Sequence, residues 1–134
     1  MRYFNIFEGL PEGLSKFEDD RGSIIDIFYK KEINHVNQIV SNPNVIRGNH
    51  KHNHTTQHIL ITSGSLEYWY QNDDMPESDF HKAKTGDLLT SEPGEIHALK
   101  IGPSGCTFIT FSEGIRGGDD YESDTIRVAS IITN

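Results

Sequence analysis

The segment RGNHKHNH, Arg47 to His54, sets three histidines at alternating positions directly behind an Arg-Gly pair. It holds three of the seven histidines of a 134-residue chain. Imidazole offers two chemistries to such a cluster. Its unperturbed pKa lets it take up and return a proton near neutrality. Its neutral nitrogen is also a good ligand for borderline metals. Alternate side chains of an extended strand share a face, so His50, His52 and His54 would point the same way. His50 and His52 can reach one ion or one substrate. His54 would lie about 13 Å along the strand from His50, at the strand's end or in the next turn.

Two further residue types belong to this chemistry. Arginine binds phosphates and carboxylates through a planar fork, which makes Arg47 a candidate anion contact. Gln57 follows His52 after four intervening residues, and Gly64 follows Gln57 after six. A second group, GDLLTSEPGEIH, runs from Gly86 through Glu92-Pro93-Gly94 to His97. His50, His52, Gln57 and His97 could together hold a divalent ion. An amide is a weaker ligand than a carboxylate, so such a site would leave the ion's charge uncompensated.

These residues must be placed by strands. Gly and Pro punctuate the chain at short intervals, with β-branched and aromatic residues between them. The strong strand candidates are Ser23–Tyr29, His35–Val40, Gln57–Thr62, Ser65–Gln71 and Cys106–Phe111. Weaker ones are Val45–His52, Asp87–Glu92, His97–Ile101 and Thr125–Ile132. Ser63-Gly64 reads as a tight hairpin, and Gly102-Pro103-Ser104-Gly105 as another turn. No long stretch has a 3.6-residue apolar period. Many short strands at near-regular spacing predict an all-β sandwich or barrel, in one domain over 1–134. Residues 1–15 are expected as an N-terminal arm or an extra edge strand. His58 should face away from Gln57. Glu92 and Glu95 read as turn flanks, with Glu92 near enough to orient His97.

The two motifs resemble the signature motifs of the cupin superfamily. The first cupin motif has His-x-His, an acidic residue and a glycine at this spacing. The second has Gly, five residues, Pro-x-Gly, two residues and His, as Gly86 to His97 does here. The chain departs by carrying Gln57 for the acidic residue, Glu92 for a proline and a displaced glycine at Gly48. The resemblance implies a double-stranded β-helix, a jelly-roll barrel of two antiparallel sheets. NVIRGNH resembles the segment bearing the catalytic base of dTDP-4-dehydrorhamnose 3,5-epimerases. DDRGSIIDIF, Asp19 to Phe28, is similar to a strand shared by those epimerases and the dTDP-sugar 3,4-ketoisomerases. RGNHKH resembles the Arg-Gly-x-His-x-His of the ketoisomerases and of capsular-polysaccharide cupin domains.

By this resemblance the substrate is a nucleotide-linked 4-keto-6-deoxy sugar of polysaccharide or glycan synthesis. His50 would be the base, His52 the second histidine and Arg47 the anion contact. A late tyrosine would be the acid, for which Tyr121 stands in position. Trp69, in the aromatic run Tyr68-Trp69-Tyr70, could stack on a sugar or base, although packing explains such a run as well. No cofactor is required on this reading. Two alternatives stay open. One is a metal-dependent cupin enzyme holding zinc, iron, nickel or copper on His50, His52, Gln57 and His97. The other is a non-catalytic sugar-binding barrel.

Composition narrows the partners. Twelve basic against twenty acidic residues give a formal charge of −8 and no basic footprint for nucleic acid. The apolar runs are far shorter than the ~18 residues that cross a bilayer. One cysteine, Cys106, allows no intrachain disulfide and fits a reducing compartment. The opening residues are too acidic for a secretory leader, so a cytoplasmic protein is expected. Exposed barrel edges pair across subunits, so a homodimer is expected as well.

Overall fold

The computed structural model describes residues 1–114 and 123–133. Among them it contains strands and no helix, and so no helix long and apolar enough to cross a membrane. The strands are β1 (Arg2–Asn5), β2 (Lys16–Asp19), β3 (Gly22–Ile25), β4 (His35–Ser41) and β5 (Ile46–Lys51). They continue as β6 (Thr56–Gln71), β7 (Asp79–Lys84), β8 (Asp87–Ser91), β9 (Ile96–Glu113) and β10 (Ile126–Arg127). All pairings are antiparallel. Eight strands form one sheet, and β2 and β3 form a separate hairpin.

The architecture rests on two long strands that each serve both halves of a barrel. The first half of β6 pairs with β8, and its second half pairs with β7. The first half of β9 pairs with β5, and its second half with β4. β6 and β9 pair with each other along their whole length. One half of the barrel is therefore β1-β8-β6-β9-β4, and the other is β7-β6-β9-β5-β10.

Two turns expected from the sequence are not turns. Ser63-Gly64 lies within β6, and Gly102 to Gly105 lies within β9. The strands pass straight through and bend at bulges between Ile61 and Ser63 and between Gly64 and Leu66. Strands that change sheet at a corner do so through such bulges. Glycine is needed there for two reasons. Gly64 and Gly105 have φ of 79° and 78°. A Cβ on Gly64 would also overlap the carbonyl oxygen of Gly105.

The corner changes which residues face inward. Ile59 and Ile61 point into the barrel before it, Leu66 and Tyr68 after it. On β9, Leu99 and Ile101 give way to Cys106 and Phe108. Residues of both halves thus form one inner core. The opposite faces carry two outer clusters. Leu60 and Leu88 are covered by Ile6, Leu10, Ile25, Ile27 and Phe28 of the N-terminal segment. Trp69 and Ala98 are covered by Ile131 and Ile132 near the other end.

This covering explains two expected strands that are shorter than anticipated. Of Ser23–Tyr29 only the part to Ile25 pairs, because Ile27 and Phe28 turn onto the outer face. Of Thr125–Ile132 only Ile126–Arg127 pairs, because Ile131 inserts against Trp69. The expected N-terminal edge strand is present as β1, hydrogen-bonded to β8.

Candidate functional site

A cavity of about 360 Å³ opens between the two halves of the barrel. His50, Gln57 and His97 line it, with Arg47 and Arg127 also at its wall. Tyr68 contributes the remaining polar ring.

The histidines converge by a local irregularity rather than by regular alternation. His50 on β5 sits opposite His97 on β9, one residue after a bulge between Gly48 and His50. Gly48 and Asn49 both have positive φ, 88° and 57°. A Cβ on Gly48 would meet the His97 carbonyl oxygen at 2.8 Å, so a glycine is required. The bulge re-aims His50 toward the cavity. β5 then ends at Lys51, and His52 lies in the following connection. The result is still a cluster. Ring centroids are 4.9 Å apart for His50 and His52, 4.8 Å for His50 and His97, and 5.3 Å for His52 and His97. One ring nitrogen from each lies within 4.8 Å of the others. His54 is in the turn, exposed and outside the cluster.

Second contacts fix two of the rings. His52 Nδ1 lies 3.0 Å from the main-chain carbonyl of Asp124, and both residues are buried. The Asp124 carboxylate accepts the N–H groups of Asn53 and His54 at 2.9 Å and the Thr55 hydroxyl at 2.8 Å. Burial pushes the Asp124 carboxyl upward, but these three donors outweigh it and hold it below its ordinary range. His97 Nδ1 lies 3.2 Å from the Ser91 hydroxyl. That hydroxyl can donate or accept, so it can support either tautomer of His97.

Arg47 donates from Nε to the Ser41 hydroxyl at 2.7 Å and from Nη2 to the Val40 carbonyl at 3.4 Å. Arg127, on β10, is in register with His50. The cavity wall therefore carries two guanidinium groups. Tyr68 is stacked beside His97, with centroids 6.0 Å apart, and its hydroxyl donates to the buried Glu95 at 3.4 Å. Burial, then the charge of Glu95, pushes the phenol well above its ordinary value. Glu95 also meets the Met1 amino group at 2.5 Å.

The sequence reading and the structure differ at several residues. Trp69, expected as a stacking wall, points to the outer face, where it stacks on Phe80 at 4.6 Å and packs on Ile131. The alternation of β6 requires this, since Tyr68 faces inward. Glu92 pairs with Arg2 at the surface, and the residue beside His97 is Ser91. Glu95 is buried rather than a solvated turn flank. His58 faces away from Gln57 as expected, between Thr90 at 2.7 Å and Glu113 at 2.6 Å. Tyr121 lies outside the described residues. Arg127, Asp124 and Ser91 carried no signal of their own in the sequence. Strand pairing brings Arg127 to His50, and hydrogen bonds bring Asp124 to His52 and Ser91 to His97.

Neither a protein-family model nor a curated protein matches the sequence. Solved structures do match in shape. The 3,4-ketoisomerase QdtA from Thermoanaerobacterium thermosaccharolyticum, in complex with TDP, has 19% identity and a TM-score of 0.68 over 86% of this chain and 84% of its own. NovW, a 4-keto-6-deoxy sugar epimerase from Streptomyces spheroides, has 14% identity and a TM-score of 0.67, covering 86% of this chain and 66% of its own. The capsular polysaccharide assembling protein CapF from Staphylococcus aureus has 19% identity and a TM-score of 0.65 over 91% of this chain. This chain spans only about a third of CapF, 34% of its length. At these identities the likeness is one of fold. The chain has the cupin fold, and the solved structures that it resembles in this way include a sugar 3,4-ketoisomerase and a 4-keto-6-deoxy sugar epimerase.

Proposed function

We propose that this protein is an isomerase acting on a nucleotide-linked 4-keto-6-deoxy sugar, as an epimerase or ketoisomerase of polysaccharide or glycan synthesis. One observation carries the reading: a cavity-lining histidine, His50, shares its wall with two guanidinium groups, Arg47 and Arg127. A diphosphate is a natural partner for such a pair in a chain of net charge −8. One QdtA structure contains TDP-4-keto-6-deoxyglucose, which supports the same substrate class here.

In this reading neutral His50 takes the proton from the carbon next to the ketone. The C–H electron pair moves into the carbon–carbon bond, and the carbonyl pair moves onto oxygen as an enolate. His97 can stabilise that oxygen when Ser91 donates to its Nδ1, because Nε2 then carries a proton. Reprotonation of the same carbon from the opposite face gives the epimer; protonation of the former carbonyl carbon, with the hydroxyl proton of the deprotonated carbon passing to the former carbonyl oxygen, gives the ketoisomer. Tyr121 remains the proposed proton-returning acid.

A second reading is favoured by the ring nitrogens lying within 4.8 Å of one another. Three imidazoles form a donor set that fits zinc, iron, nickel or copper, with Gln57 on the same wall. Bound there, such an ion would polarise a substrate carbonyl. His97 would then donate from Nδ1 to Ser91.

The test is deuterium incorporation from solvent into TDP-4-keto-6-deoxyglucose, with elemental analysis of untagged protein. Wild type should exchange, and His50→Ala should lose about 100-fold or more of the rate. Exchange that persists in His50→Ala removes His50 as the base. No exchange by wild type, with retained sugar binding, identifies a binding barrel. Stoichiometric metal that is lost in His52→Ala selects the second reading. We also propose a homodimer, on the support of β4, which among the described residues pairs on one side only, with β9, and has Val36 and Val40 exposed.

A further inference from the structure

Asp124 is remote in sequence from the histidines and belongs to neither motif, yet it makes four contacts with the segment that carries His52. Its carbonyl meets the His52 ring, and its carboxylate takes three donors from the next three residues. Asp124, Thr55 and His52 are all buried. A buried carboxylate with three donors is a rigid element, because moving it would strand those donors without partners.

The chemistry of the first contact is one-sided. A carbonyl oxygen only accepts, so a hydrogen bond at 3.0 Å requires the proton to sit on His52 Nδ1. In the neutral ring Nε2 then holds the lone pair. We propose that Asp124 is a positioning residue: its carbonyl holds His52 as the Nδ1–H tautomer, which makes Nε2 the basic nitrogen of that ring, and its carboxylate keeps the carbonyl in place. The role rests on the proposed site, and it serves proton transfer and metal ligation alike, since both need a basic nitrogen in a fixed direction.

The consequence concerns connectivity. β5 stops at Lys51, and beyond it the His52 carbonyl accepts the Gly94 N–H at 2.7 Å while its ring is held by the chain around Asp124. That chain continues into Ile126–Arg127, which pairs with Lys51 and His50. A single segment therefore sets the direction of His52 and delivers Arg127 to the cavity wall.

The test is nitrogen-15 NMR of the full chain labelled at histidine, at about pH 8, where imidazole is neutral. His52 is expected with Nδ1 protonated and Nε2 unprotonated. A protonated Nε2, or rapid averaging of the two forms, overturns the proposal without any variant. Asp124→Ala should convert the single tautomer into an averaged pair of signals and slow sugar-proton exchange at least about tenfold. Asp124→Asn keeps one acceptor oxygen and should fall between. An unchanged single tautomer in Asp124→Ala also overturns the proposal. The tautomer is read without substrate. A wild-type chain with the expected tautomer and no exchange therefore supports the role of Asp124 and refutes the isomerase reading.

Discussion

Arg127 and His50 occupy paired positions on adjacent strands, so the cation and the proposed base are spaced by the sheet itself. Removing the cation should cost binding more than chemistry. Arg127→Ala is expected to raise KM for a TDP-linked sugar about tenfold or more with little change in kcat, as loss of a uniform binding contact does. An equal fall in kcat and kcat/KM would place Arg127 in the transition state instead. A second residue-scale expectation concerns Cys106. Burial raises its thiol to about 11, so little thiolate exists at neutral pH. Folded protein should resist iodoacetamide at pH 8 and react once unfolded, which mass spectrometry can follow. At this scale the histidines were legible because two motifs fixed their spacing. Asp124 and Arg127 were not, because a two-residue strand leaves no periodic pattern and their partners are some seventy residues away, as in the pair of His52 with Asp124.

Strands β6 and β9 decide the shape of the molecule, and they show what a sequence conceals. Each reads as two strands separated by a turn, because glycine is the usual residue of a turn. A glycine that permits two backbones to touch has the same appearance in sequence. Gly64 and Gly105 are of that second kind: a Cβ on Gly64 would overlap the Gly105 carbonyl, and a Cβ on Gly105 would meet the Ser41 carbonyl. Alternation within each half was readable, and it placed Gln57 and His58 on opposite faces correctly. His58 supplies a pH test of the outer face. Burial depresses its pKa, although Glu113 opposes the shift. The folded state thus binds fewer protons than the unfolded state just below the ordinary histidine value. Stability from this group is fully present above about pH 6.5 and is lost as pH falls toward the lower folded value. Urea unfolding of wild type and His58→Gln at pH 8 and pH 5 should show a smaller acid loss in the variant. Equal losses would assign acid sensitivity elsewhere.

At the scale of the whole molecule, two pairs of exposed apolar side chains lie away from the cavity. Val36 and Val40 lie on β4, and Phe17 and Ile24 form a cross-strand pair on the detached β2-β3 hairpin. A two-stranded hairpin is marginal in water by itself. Light scattering after gel filtration should therefore give about twice the chain mass, and Val36→Lys with Val40→Lys should shift it toward the monomer. A monomeric wild type would remove the homodimer. The cupin fold was legible before any of this, since the motif spacing and the strand density agree. The covering of both outer faces was not, because Ile27 and Ile131 belong to stretches that look like strands and act as lids on apolar surface.

Trp69 is the single tryptophan, and Ile131 covers it. The protein thus carries an intrinsic optical reporter for one end of its chain. Indole emission shifts to the red when water reaches the ring. A red shift in Ile131→Ala before the main unfolding transition would record the release of residues 128–133 alone. The same segment follows directly on Arg127, so fluorescence would register, in the unmodified chain, whether the wall of the cavity is in place.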